Sequence, residues 1–194
     1  ASIRAAARKA AALCRQMLTY AGKGSFAAES LDLNLVAREA ARMLAPELPP
    51  GIRLRFRLSP EAAPARGDPA QLRQAVVSLL LNASEALAGT EGVVSVGTGT
   101  LVFRGAGAAG VWAAPPRAGV AYAWVEVTDT GRGMDPGSLE HIFEPFFSTK
   151  FMGRGLGLSA VLGIVRGHQG AVRVHSGEGQ GTTVQLLIPL HSQT

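Results

Sequence analysis

The chain has 194 residues, of which 47% are hydrophobic, 17% charged and 6% aromatic. That composition is globular, not disordered, and the length suits one domain with a modest appendage or two small units. A single cysteine, Cys14, excludes a disulfide framework and a cysteine-only zinc site. No apolar run reaches the ~18 residues of a membrane span and no signal-peptide pattern opens the sequence, so the expected location is cytoplasmic, in a free protein or in the cytoplasmic part of a membrane-anchored one.

Residues 2–21 read as a helix. Ile3, Ala6, Ala10, Leu13, Met17 and Tyr20 step by three and four, a short seam of the kind one bundle helix presents to partners, or of an ordinary amphipathic helix docked on its own domain. A linker follows through Gly22, Gly24 and Ser25. Leu31 to Leu33 suit a short strand, and Asn34 suits the cap of a helix over 35–45 that stops before Pro46. Ile52, Leu54, Phe56 and Leu58 alternate with Arg53, Arg55 and Arg57, a strand with one apolar and one charged face. The net charge of +5 invites nucleic-acid binding. The other basic residues are scattered, however, and such an arginine face is usually solvated or guards a sheet edge, so no nucleic-acid partner is expected.

Pro60 to Gly67 read as a loop. Asp68-Pro69 joins a capping side chain to a proline at the first helical position, which starts a helix running to about Leu87. Strands are expected near 93–103 and 120–128, with a Gly/Ala/Pro-rich loop between them. A Gly-rich turn spans Gly131 to Pro136, and a short apolar stretch Leu139 to Phe147. A second Gly-rich turn, Gly153 to Gly157, opens a helix to about Gly167. Residues 171–176 and 182–190 read as a hairpin across Gly177 to Gly181. Strands and helices mix without βαβ spacing. The fold class is therefore α+β: a two-layer sandwich of one mixed sheet and about three helices, preceded by one bundle-type helix.

Three stretches carry chemistry. On the helix 69–87, Gln71, Gln74, Ser78, Asn82 and Glu85 form one polar stripe beside an apolar face. Plain solvent accounts for such a stripe, as does a metal-phosphate site, because the neutral asparagine oxygen suits Mg²⁺ without adding charge beside phosphates. After the strand 120–128 comes Asp129-Thr130-Gly131-Arg132-Gly133-Met134. The carboxylate accepts hydrogen bonds only, as an exocyclic amine requires, and glycines let backbone approach a flat ligand; a solvated surface turn has the same local pattern. Gly153-Arg154-Gly155-Leu156-Gly157-Leu158-Ser159 leads into a helix N-terminus, which favours phosphate. It lacks the Gly-Lys-Ser/Thr of a P-loop, and a flexible loop is the plainer alternative.

Taken in order, these stretches, the Phe143/Phe146/Phe147 segment and Gly179-Gln180-Gly181-Thr182-Thr183 resemble the ATP-binding catalytic domain of sensor histidine kinases, in the GHKL ATPase superfamily. Asp68–Leu87 is similar to the N box, Asp129–Met134 to the first glycine box, Ile142–Phe147 to the F box, Gly153–Gly157 to the second glycine box and Gly179–Thr183 to the last. The likeness covers about residues 30–190. Residues 5–22 resemble the second helix of the dimerisation and phosphoacceptor hairpin. On this basis residues 1–24 would be a partial hairpin helix and linker, and 25–194 the catalytic domain.

The resemblance implies ATP and Mg²⁺ as cofactors. Asn82 would hold the metal, Asp129 would accept from the adenine amino group with Gly133 and Thr183 near the base, and Gly155 and Gly157 would bring the lid and helix N-terminus to the phosphates. Lys150 and Arg154 would be lid cations near the β- and γ-phosphates, catalytic together with Asn82. Ser78, Glu85, Gly131, Met134, Phe143, Gly153, Leu156 and Leu158 complete the implied nucleotide contacts. The implied reaction moves the γ-phosphoryl group of ATP to a histidine nitrogen. Implied partners are the acceptor hairpin of the parent protein, a response-regulator receiver domain and a second copy in a homodimer, with no direct membrane contact by this chain. A nucleotide-responsive interaction module without transfer is the alternative.

Two departures stand out. Family members often carry a second asparagine four residues before the metal ligand, and ATPase relatives a glutamate that activates water; here the residue is Ser78, which argues against a dedicated hydrolase. The acceptor histidine is expected upstream of residue 1, because His141, His168, His175 and His191 all lie outside the N-terminal helix and read as structural or surface residues. The lid between Phe147 and Gly153 is short, so ordering it on ATP should cost little entropy.

Overall fold

A computed structural model describes residues 28–87, 89–105, 110–147 and 157–190. The bundle helix expected over 2–21 and the lid lie outside the described residues.

The elements run β1 (Glu29–Asp32), α1 (Leu33–Leu44), a 3₁₀ turn (Ala45–Glu47), β2 (Ile52–Arg57), β3 (Pro64–Gly67), α2 (Pro69–Ala86), β4 (Gly92–Val102), β5 (Val111–Ala114), β6 (Ala121–Asp129), α3 (Pro136–His141), α4 (Gly157–Gly167), β7 (Ala171–Ser176) and β8 (Thr182–Pro189). Six strands form one sheet in the order β2-β4-β6-β8-β7-β5, and β1 pairs with β3 beside it. The β2–β4 pair is parallel and the others are antiparallel. The expected mixed sheet is therefore present, with the small β1–β3 ribbon in addition.

Alternation decides which side chains meet the helices. Val94 and Val96 of β4, Val125 and Val127 of β6, and Val184, Leu186 and Ile188 of β8 join one core with Leu33, Val36 and Leu44 of α1, Leu72, Val76, Leu79 and Leu80 of α2, and Val161, Ile164 and Val165 of α4. Each of these apolar side chains is worth about 1.5–3 kcal/mol when fully buried. The opposite face carries a smaller cluster of Tyr122, Ala171 and Leu187, flanked by Leu101, Phe103, Trp112, Val120 and Trp124.

Four local expectations change. The α1 cap is Asp32, whose carboxylate accepts the Asn34 N–H at 2.9 Å. The Asn34 side chain instead donates to the Glu61 carbonyl at 2.9 Å. The 60–67 loop contains β3, hidden by its proline and glycine, which are poor strand formers. The Gly/Ala/Pro-rich loop contains β5, which adds to the sheet edge on β7. There Trp112 packs edge-on to Phe103 and lies under the Arg173 guanidinium, so this segment closes the smaller cluster. Residues 136–141 form the short helix α3, capped by the Asp135 carboxylate. As expected, Arg53, Arg55 and Arg57 stand exposed on an edge strand, β2.

Candidate functional site

The site assembles around the C-terminal half of α2. Asp68 caps that helix, accepting from the N–H groups of Ala70 and Gln71 at 2.9 and 3.1 Å, and Pro69 follows at the first helical position. The helix beyond it meets two separate chain segments.

The first is the start of α4. A methyl group on Gly157 would lie 3.2 Å from the Ser78 hydroxyl and 3.3 Å from both polar atoms of the Asn82 amide. Two of the stripe's polar residues thus end against a helix N-terminus, whose N–H groups and dipole favour an anion.

The second is the turn after β6. Asp129, 5% exposed, accepts the Gly131 N–H at 2.8 Å. Gly131 itself lies against the α2 backbone, where a methyl group would approach the Ala86 carbonyl to 2.8 Å. Ala86 is four residues beyond Asn82, so Asp129 and the α4 start sit about 6–12 Å apart along one helix. That is the order of the distance from a nucleotide's base to its phosphates.

The hairpin β7–β8 closes the Asp129 side. Asp129 pairs with Thr182 on β8, which pairs in turn with Ser176 on β7. The Ser176 and Thr182 hydroxyls are 2.9 Å apart, and Ser176 Oγ accepts the Met134 N–H at 3.0 Å. Only glycine fits at two points. Gly133 (φ +66°) and Gly181 (φ +75°) would drive a methyl group to 1.8 Å from the Gly177 carbonyl and 2.0 Å from the Asp129 carbonyl.

Thr183 does not join this group. It pairs with Thr128, and the two hydroxyls are 3.0 Å apart on the opposite sheet face from Asp129. The residue on the Asp129 side is Thr182, which the sequence reading passed over. Its signal was available: Thr182 shares strand parity with the core-facing Val184, Leu186 and Ile188.

Met134, Phe143, Phe147 and Leu158 pack partly buried against the main core, and Glu85 is exposed. Phe146 is 66% exposed and holds a positive φ of 70°. Lys150, Gly153, Arg154, Gly155 and Leu156 lie outside the described residues. Of the histidines, His175 is exposed; the exposed His141 bonds Glu144 at 2.8 Å, and this hydrogen bond and the Glu144 charge raise its pKa. His168 is buried and its pKa is lowered by that burial.

Among the described residues no three His, Cys, Asp or Glu side chains gather as a metal site. The donor set beside Gly157 is a neutral amide and a hydroxyl. It fits Mg²⁺ held mainly by phosphates and waters, which needs few protein ligands.

A helix N-terminus on an asparagine-bearing helix, with a buried aspartate beside that helix's C-terminal end, is the arrangement of a nucleotide-binding sandwich, and the chain belongs to the family of histidine kinase-, DNA gyrase B- and HSP90-like ATPases, whose model matches residues 67–192. ATP is the nucleotide this membership assigns to the domain. The chain is 34% identical over 166 residues to the sensor histidine kinase ZraS of Escherichia coli, covering 85% of this chain and 32% of ZraS. It is 36% identical over 194 residues to the sensor kinase CckA of Brucella abortus, covering 97% of this chain and 20% of CckA. It therefore spans a third or less of these curated relatives. The catalytic domain of histidine kinase ThkA, nucleotide free, shares the fold with a TM-score of 0.67 at 24% identity, over 86% of this chain and 96% of that domain.

Proposed function

We propose that this chain is the kinase module of a two-component sensor histidine kinase, and that it transfers the γ-phosphoryl group of ATP to a histidine outside these 194 residues, for onward transfer to a response-regulator receiver domain. The observation that carries the reading is the start of α4 held against Ser78 and Asn82, with buried Asp129 one to two turns further along the same helix, beside its C-terminal end. Named relatives that are sensor kinases support it.

In this reading Asp129 accepts from the adenine amino group, and Thr182 and Ser176 hold the turn beside the base. Gly157 brings the α4 N–H groups to the phosphates. Asn82, with Ser78 beside it, holds a Mg²⁺ ion, which neutralises phosphate charge when bound. Ser78 is a hydroxyl and supplies no carboxylate base to activate water, so the domain favours transfer over hydrolysis. Lys150 and Arg154 are the proposed lid cations at the β- and γ-phosphates. Residues 1–24 are proposed as hairpin helix and linker, and 25–194 as the catalytic domain, with dimerisation through the hairpin of the full-length protein. No helix among the described residues is long and apolar enough to cross a membrane, and a cytoplasmic site of action is proposed from the ATP requirement.

Calorimetric titration with ATP, with and without Mg²⁺, tests the site. Asp129→Asn should weaken binding at least tenfold in both conditions, and Asn82→Ala should abolish mainly the Mg²⁺-dependent part. An equal, Mg²⁺-independent loss in both variants would sink the assignment. Transfer of label from γ-³²P-ATP to a supplied acceptor hairpin tests the reaction, and binding without label on the hairpin would overturn it.

A further inference from the structure

His168 follows α4 directly, 5% exposed. Its Nε2 accepts the backbone N–H of Asp68 at 3.0 Å, and its Nδ1 lies 2.8 Å from the Ile164 carbonyl. An acceptor at Nε2 and a donor at Nδ1 define the neutral ring with its proton on Nδ1. Asp68 is the N-cap of α2. The last residue before it, Gly67, leaves room for the ring, since a methyl group there would come within 2.5 Å of His168 Cδ2.

The two helices are therefore antiparallel and joined at both ends. Asp68 meets His168 at one end, and Ser78 and Asn82 meet Gly157 at the other. From Asp68 to Ser78 and Asn82 is 10 and 14 residues; from Gly157 to His168 is 11. At 1.5 Å per residue these are about 15–21 Å and about 17 Å, so the spans match. A slip of α4 by one residue would shift its start by about 1.5 Å and turn it by about 100°, away from Asn82. It would also break the His168 bond.

We infer that His168 is a positioning residue for nucleotide binding: by bonding the Asp68 N–H it sets the register of α4 on α2 and so holds the Gly157 N-terminus against Ser78 and Asn82. The inference rests on the ATP-site reading above. It gives His168 a role that a purely structural part in the core would not imply.

His168→Phe keeps the bulk and removes both bonds, and His168→Gln keeps an acceptor able to reach the Asp68 N–H. With ATP, well below the melting temperature, His168→Phe should raise Kd at least fivefold and His168→Gln should restore it to within twofold. The side-chain amide signal of Asn82 and the backbone amide of Gly157 should shift in His168→Phe and return in His168→Gln. Val172→Ala, a core variant on β7, should lower stability while leaving Kd and both signals unchanged. If His168→Phe does not fold, Gly67→Ala, which crowds the ring, is read in its place. Lower stability with unchanged Kd and unchanged Asn82 and Gly157 signals overturns the inference, as does Val172→Ala weakening binding as much as His168→Phe. Wild-type protein that fails to bind ATP counts against the site reading instead, and the amide signals still decide the role of His168.

Discussion

Gly157, the first residue of α4, lies against the Asn82 side chain on α2: a methyl group built on it meets both amide atoms at 3.3 Å. Contacts this tight require the neighbour to give by a few tenths of an ångström. In Gly157→Ala the methyl favours the helix by up to about 1 kcal/mol but displaces the Asn82 amide. The melting temperature should hold or rise, while ATP binding with Mg²⁺ weakens about tenfold, or about 1.4 kcal/mol. Parallel thermal melts and calorimetry check this; unchanged affinity would remove Asn82 from the site.

The adjacent threonines of β8 should separate cleanly. Thr182→Val removes the hydroxyl that meets Ser176, the side chain anchoring the Met134 N–H, and should weaken ATP binding several-fold. Thr183→Val removes the bond to Thr128 on the other face, costing about 0.5–1.5 kcal/mol of stability with affinity within twofold of wild type. The reverse pattern would return Thr183 to the base.

Glu126 sits half-buried on the outer sheet face, in a row that runs Arg57, Gly97, Glu126, Gln185, Arg173, Trp112 across all six strands. Burial raises its pKa, offset in part by Arg173 and Arg57. A carboxyl whose folded pKa lies above its unfolded value makes stability fall as pH rises through the window above 4.5. Glu126→Gln lacks that loss. At pH 7 its stability should match or exceed wild type by about 0–1 kcal/mol, and the difference should shrink as pH falls toward 4.5; urea melts at pH 4.5 and 7 decide it.

His141 and His168 should titrate on opposite sides of 6.5. The raised pKa of His141 contributes stability that is present below 6.5 and lost as pH rises through its folded value. His168, neutral and facing Asp68, contributes stability that is present above 6.5 and lost as pH falls through its lower folded value. Ring C–H shifts followed by NMR across pH 5–8 test both. Glu144→Gln should bring His141 back toward 6.5, and an unmoved midpoint would mean that Glu144 is not the cause.

Much of this protein was legible as local pattern. Asp68-Pro69 announced α2 because a cap and its N–H groups lie within three residues of each other. The alternation over 52–58 marked β2, the glycines at 131 and 133 marked the turn after β6, and Gly157 marked the start of α4. What hid was β3 and β5, because a proline, glycines and alanines argue locally against strands that exist only by pairing with β1 and β7. Asn34 looked like a cap because its chemistry allows one, and the tertiary acceptor on Glu61 claimed it.

The sequence by itself therefore determined most of the elements, the turn at Gly131 and Gly133, and the family of ATPases to which the chain belongs. Only the tertiary structure decided that Thr182 and not Thr183 faces Asp129, that the start of α4 rests on Asn82, and that His168 bonds Asp68, 100 residues away. Propensity and capping act over a few neighbouring residues, so they can be read along the chain. Register, strand facing and close approach arise when distant segments pack, and no local pattern contains them.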